Sequence, residues 1–255
     1  GACVLQDRLG LPRRLGALDF NLGCSGYVYG LGLARALIAD GQARHVLLIT
    51  ADTYTKFVHP HDRATRPLFG DGAAATLVGP AGADEPGAIG PVELRTDGRG
   101  YEQLIVPAGG LALPRSDATA AARTDHNGCT RSPQNLYMDG PGIFTFAITQ
   151  VPPLIAEVLA QAGLGGDDID WYVYHQANQF MLDRLFERSG VPPDKAVLHF
   201  ADIGNTVSSS IPIALEAYVQ DGRIRPGQRL LLVGFGVGYS WAAGVVTWGG
   251  GGSAG

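Results

Sequence analysis

Apolar residues along this chain fall into short continuous runs separated by stretches with helical spacing, the pattern of alternating strands and helices. Leu18 to Leu22 reads as a short buried strand, and Tyr27 to Ala39 as a Gly/Ala-rich helix that must pack closely against its neighbours. His45 to Thr50 is an apolar run of the kind found in central parallel strands. The loop from Thr53 to Leu68 precedes further strands at Gly72 to Gly79 and Ala88 to Thr96, the two separated by a turn at Pro80 to Gly87. Gly109 to Pro133 has little periodicity and predicts a surface excursion.

Helical spacing returns from Ile143 to Ala162, where Pro152 and Pro153 predict a kink or a second start. A strand at Asp170 to Tyr174, a helix at Phe180 to Ser189, a strand at Ala196 to Phe200 and a helix at Ser208 to Gln220 follow. Arg229 to Val233 and Trp241 to Trp248 close the sheet, and Gly249 to Gly255 is a tail. Leu230 to Val246 is long enough to raise a membrane-span question. Glycines at 234, 236, 238 and 244 divide it, so it predicts two buried strands joined by a tight turn. The whole is an α/β pattern.

Composition narrows the function classes. The 255 residues are 45% hydrophobic and 17% charged with a net charge of -5, which suits a folded α/β protein and argues against general nucleic-acid binding. Three cysteines, Cys3, Cys24 and Cys129, form neither a disulfide framework nor a C-x-x-C zinc pair. With no basic segment followed by an apolar core at the N-terminus, the expectation is a cytoplasmic protein without membrane association.

The chemistry concentrates at strand ends, where open α/β sheets hold ligands. Cys24 lies in Leu-Gly-Cys-Ser-Gly, between a strand and a helix whose N-terminus favours a thiolate. Taken alone it is equally a buried structural cysteine, the reading kept for Cys3 and Cys129. His175 ends a buried strand in Tyr-His-Gln-Ala-Asn, and Asn205 precedes a helix in Gly-Asn-Thr-Val-Ser-Ser-Ser-Ile-Pro. Alone, the first is a core histidine and the second a helix cap. Together, a thiol, an imidazole and a carboxamide are what a decarboxylative carbon–carbon condensation on a thioester requires. Phe235-Gly-Val-Gly-Tyr239 is not G-x-G-x-x-G, so no dinucleotide site is read there.

On these three motifs the chain resembles the ketoacyl-acyl carrier protein synthase III family of the thiolase fold. The resemblance implies a layered α-β-α-β-α architecture built from two similar halves. Residues 1–98 would be the remainder of the N-terminal half, 99–138 a connecting excursion, and 139–255 the C-terminal half. The opening strands and helices of the first half are absent from this sequence, so the chain as written is expected to be unstable or inactive as a monomer. The family is homodimeric, the partner contributing to the acyl pocket.

The resemblance further implies roles. Cys24 would take an acyl group from acyl-coenzyme A, and His175 and Asn205 would donate hydrogen bonds to the malonyl thioester carbonyl as carbon dioxide leaves. The backbone amides of Cys24 and Val237 would hold the tetrahedral oxyanion, Val237 standing where relatives commonly have Gly. Arg63 would contact the coenzyme A nucleotide, Phe69 would line the acyl pocket with Phe235 nearby, and Gly140 and Phe144 would lie beside the pantetheine channel. Asn178 belongs to the His-Gln-Ala-Asn motif, and Phe180 replaces the family's arginine facing the carrier protein. No metal or redox cofactor is implied; acyl-coenzyme A and malonyl-carrier protein are the substrates. An acyltransferase acting on an alcohol or amine, or a non-catalytic partner subunit, are the competing readings. Plant-type polyketide synthases and hydroxymethylglutaryl-coenzyme A synthases share the nucleophile, but His-Gln-Ala-Asn with Gly-Asn-Thr points away from them.

Overall fold

The structure is a computed structural model that describes residues 1–81 and 87–249. The expected turn at 80–87 and tail at 249–255 fall largely outside them. Its frame consists of α1 (Gly26–Ala39), β1 (Val46–Asp52), β2 (Gly72–Val78), β3 (Ala88–Thr96), α2 (Gly140–Ala162), β4 (Trp171–Tyr174), α3 (Gln179–Ser189), α4 (Ser210–Gln220), β5 (Arg229–Gly236) and β6 (Ser240–Thr247).

The main sheet has the order β3-β6-β5-β4, with β6 antiparallel to both neighbours and β4 parallel to β5. β5 runs through its centre and is buried from Leu230 onward. Because successive strand residues point to opposite faces, Leu231, Val233 and Phe235 enter one core with Val151, Leu154 and Val158 of α2 and Leu182 and Leu185 of α3. Leu230 and Leu232 enter the other, with Val28 and Leu31 of α1, Leu48 of β1, and Ile211 and Leu215 of α4. The layers are therefore α2/α3, the main sheet, α1/α4, and the antiparallel ribbon β1-β2. Among the described residues no helix covers the ribbon's outer face, where Leu47 and Leu77 are exposed.

α1 sits between two sheets, and its glycines allow the close approach. A methyl group at Gly30 would lie 2.5 Å from a Leu48 methyl, and one at Gly32 would lie 3.3 Å from Val92. α2 is one continuous helix, capped by the Asp139 side chain and ended by Gly163 in the left-handed conformation. Proline lacks the N–H that would bond four residues back, so Pro152 leaves the Ile148 carbonyl without its helical donor. The Arg188 Nε of α3 donates to that carbonyl at 3.1 Å, which compensates within the helix pair. Among the described residues α2 is the one helix long and apolar enough to cross a membrane by length and composition; here its apolar side is packed on the main sheet.

Several expectations need correction. Leu18–Leu22 is not a strand: no neighbouring backbone pairs with it among the described residues, and Leu18 and Phe20 are exposed. β1 is antiparallel to its partner rather than a central parallel strand. Ala88–Thr96 forms at the expected residues and pairs with β6, at the edge of the main sheet, while its side chains also pack on α1. Ala196–Phe200 reduces to a single bridge between Ala196 and Tyr172. Helix α4 begins at Ser210, preceded by a 3-10 turn over Val207–Ser209. The excursion over 109–133 is joined to the loop before β2 where Arg131 pairs with buried Asp62 at 3.1 Å.

Gly234 tests the packing at the sheet centre. A Cβ there would lie 2.7 Å from the Ser25 Cα, which is backbone and cannot swing aside. Gly234→Ala should lower unfolding free energy by about 1–3 kcal/mol in urea titration. Gly98→Ala, where nothing lies within 4 Å, should change it little.

Candidate active site

Cys24 occupies a tight turn closed by the Gly26 N–H donating to the Gly23 carbonyl at 2.7 Å, and α1 starts two residues later. β5 passes directly against this turn. A Cβ on Gly236 would lie 2.9 Å from both Cβ and Sγ of Cys24, and one on Gly234 would lie 2.9 Å from the Cys24 carbonyl oxygen. Ser25 and Ser240 share a 2.6 Å hydrogen bond, and the Ser240 hydroxyl also donates to the Val237 carbonyl at 2.6 Å. The turn after β5 is thus tied to the residue following the thiol.

His175 follows β4. Its backbone N–H donates to the Val233 carbonyl at 2.7 Å, its Nδ1 is 2.7 Å from the Ser210 hydroxyl, and its ring meets Phe235 edge-on at 5.5 Å. Asn205 is held by main-chain bonds to the Leu68–Gly70 segment, including a bridge with Phe69. Its side-chain oxygen accepts from the Val207 N–H at 2.9 Å, so the end of the side chain still able to donate is the amide nitrogen. Val207 makes that bond in the left-handed region at φ 56, the only non-glycine there among the described residues. A β-branched side chain in this region is strained. Val207, Val237 and the Tyr54 hydroxyl converge beside Gly23, within 3.1–3.5 Å of where its Cβ would be.

The sequence signature of 3-oxoacyl-[acyl-carrier-protein (ACP)] synthase III matches residues 18–98, and that of its C-terminal portion matches 159–248. Beta-ketoacyl-[acyl-carrier-protein] synthase III 3 of Streptomyces coelicolor is 39% identical, the alignment covering 91% of this chain and 67% of the relative. Its counterpart from Gloeobacter violaceus is 40% identical, covering 98% and 72%. A crystal structure of a 3-oxoacyl-(acyl-carrier-protein) synthase III superposes with TM-score 0.92 at 48% identity, covering 97% of this chain and 73% of that one. The chain belongs to the 3-oxoacyl-ACP synthase III family.

As a synthase III the chain is an acyltransferase-type condensing enzyme of the thiolase fold. Its electrostatics depart from the expectation that the helix start favours a thiolate. Cys24 is buried, and burial, reinforced by the Asp52 carboxylate, pushes its pKa up to about 12; a backbone hydrogen bond opposes this without offsetting it. Desolvation of the charged form outweighs the helix-terminal field. Burial also drives the His175 pKa down to about 3, against a smaller upward contribution from a hydrogen bond with the Val207 backbone. Cys24 and His175 therefore rest as neutral thiol and neutral imidazole. Tyr54 is likewise raised, first by burial, then by Cys24 and Asp52.

Of the residues singled out from sequence, Cys24, His175, Asn205, Phe69, Phe235 and Val237 are brought together. Val237 lies outside the left-handed region, so its backbone does not require glycine. Asn178 instead caps α3, accepting from the Met181 N–H at 2.9 Å. Gly140 opens α2, and Phe144 stacks on Phe180 at 5.2 Å. Arg63 lies on an exposed loop whose neighbour Asp62 is buried and bonded to Arg131 at 3.1 Å. Tyr54, Asp52, Val207 and Ser210 were missed. The serine run Ser208–Ser210 was the available signal for Ser210, while Asp52, Tyr54 and Val207 carry none.

Asp52 accepts from both the N–H and the hydroxyl of Ser208. Asp52→Asn keeps an acceptor oxygen there but removes the negative charge near the thiol. Cys24 should then ionise at lower pH. Iodoacetamide alkylation of the parent should still be climbing above the ordinary thiol value of 9.0, and the variant's profile should be displaced to lower pH.

Proposed function

We propose that Cys24 carries the acyl group and that His175 and Asn205 promote decarboxylation of the extender. The observation that carries this reading is that β5 lies against the Cys24 turn through Gly236 while its Phe235 packs on His175. In the first half-reaction the Cys24 sulfur attacks the thioester carbonyl of acyl-coenzyme A. The carbon–sulfur bond to coenzyme A breaks, and the thiol proton ends on the leaving coenzyme A sulfur. The N–H groups of Cys24 and Val237 serve as the oxyanion donors.

In the second half-reaction malonyl-carrier protein loses carbon dioxide. The electron pair left on carbon is delocalised into the thioester carbonyl, whose oxygen accepts from His175 Nε2–H and Asn205 Nδ2–H. That carbon attacks the Cys24 thioester, the sulfur departs and takes up a proton, and a β-ketoacyl-carrier protein is released. Arg63 meets the coenzyme A nucleotide, and Phe69 lines the acyl pocket. Gly140 and Phe144 flank the pantetheine path. The carrier protein meets a face that includes exposed Phe180, with Arg184 above its ring at 5.8 Å. A homodimer is the proposed assembly, formed through apolar surface of the kind Leu18 and Phe20 expose.

Cys24→Ser should abolish acyl-enzyme formation in intact-mass spectrometry after exposure to acyl-coenzyme A. Cys3→Ser and Cys129→Ser should leave it intact. Acylation that persisted without Cys24 would sink the assignment.

His175→Ala and Asn205→Ala should still acylate at Cys24 yet lose about 10²–10³ in carbon dioxide release. Since the His175 pKa lies at about 3, the ring stays neutral across the range where a free histidine titrates. Decarboxylation should therefore stay flat from about pH 8 to about pH 5. An acid limb centred near the free-histidine value of 6.5 would contradict a buried neutral ring.

A further inference from the structure

The three serines after Val207 are all buried; the first two bond the β1-β2 ribbon and the third bonds His175. Ser208 bonds the Asp52 carboxylate at the end of β1. The Ser209 hydroxyl donates to Thr50 at 3.0 Å and to the Gly72 carbonyl at 3.2 Å. Ser210 reaches the His175 ring at 2.7 Å, and its oxygen also accepts from the Gln176 N–H at 3.3 Å. The first two bonds seat the start of α4 on the β1-β2 ribbon and so fix where the third hydroxyl stands.

Proton counting at Ser210 settles the direction of the third bond. The Gln176 N–H can only donate, so it occupies one lone pair of the Ser210 oxygen. The single hydroxyl proton needs an acceptor in a site closed to water. Among the described residues, the His175 Nδ1 is the partner recorded for it. If Nδ1 itself carried the proton, the hydroxyl proton would be left buried without an acceptor, which is unfavourable.

We infer that Ser210 is the positioning residue that fixes His175 as its Nε2–H tautomer, placing the ring proton on the nitrogen turned away from Ser210. This rests on the reading of His175 as a hydrogen-bond donor in decarboxylation. Ser210 touches no substrate atom in this scheme and acts only through the ring. A neutral imidazole has one proton to place, and in a site where His175 does not become cationic the tautomer decides whether the pocket has two donors or one.

Two-bond ¹H–¹⁵N correlation spectra of the full chain with ¹⁵N-labelled histidine, assigned with His175→Ala, report the tautomer without any turnover. The expected parent spectrum shows His175 protonated at Nε2 and bare at Nδ1. Ser210→Ala should give mixed tautomers and lose about tenfold in carbon dioxide release, the equivalent of one hydrogen bond, with Cys24 acylation unchanged. Ser210→Thr, which keeps the hydroxyl, should restore both the spectrum and the rate. A parent ring protonated at Nδ1, or an unchanged tautomer in Ser210→Ala, would overturn the inference. The tautomer measurement stands apart from the decarboxylation role: an Nε2–H ring in an enzyme whose His175→Ala variant still releases carbon dioxide would refute that role and leave the positioning intact.

Discussion

The site depends on one close crossing, where β5 runs against the Cys24 turn with no side chain between them. Gly234 and Gly236 make it possible, because a methyl group at either would meet Ser25 or Cys24 at 2.7–2.9 Å. The crossing sets the rest in register. Phe235, between the two glycines, faces the opposite side of the sheet and packs on His175. Val237 then reaches over Gly23, and Ser240 returns to bond Ser25. Cores are packed to the density of organic crystals, so a wider residue at either glycine displaces Cys24 relative to His175 and Asn205.

Around this crossing the polar groups are organised by burial rather than by charge pairing. The thiol is shifted up and the imidazole down, both chiefly by removal from water. Two neutral groups removed from water make hydrogen bonds whose strength is not diluted by solvent. The arrangement costs local strain: Val207 sits at φ 56 so that its N–H can hold the Asn205 oxygen. Strain of this kind persists only where the surroundings over-determine it, and the bonds from Ser208 and Ser209 to the β1-β2 ribbon and from Ser210 to His175 supply that determination.

The same principle explains which parts were legible beforehand. β5 and β6 were readable because residues buried on both faces leave an unbroken apolar run, and the glycines marked the turn between them. The long helix was readable from its spacing, though its two prolines misled: whether proline breaks a helix depends on what satisfies the freed carbonyl, and Arg188 lies 40 residues away in sequence. Leu18–Leu22 has the composition of a strand and no partner among the described residues, and composition alone does not make a ladder.

What the amino-acid sequence determined by itself was chemistry and local punctuation: a cysteine before a helix, a histidine after a strand, an asparagine ahead of a helix, and glycines where backbones must approach. These are properties of residue type and neighbours, so they survive without coordinates. The tertiary structure alone decided that β3 joins the sheet of the C-terminal part, that Asp52 stands near enough to Cys24 to raise its pKa, and that Ser210 faces the His175 ring. Each of these is a contact between segments far apart along the chain. Pairing, desolvation and electrostatic coupling depend on distance in space, which no local pattern encodes.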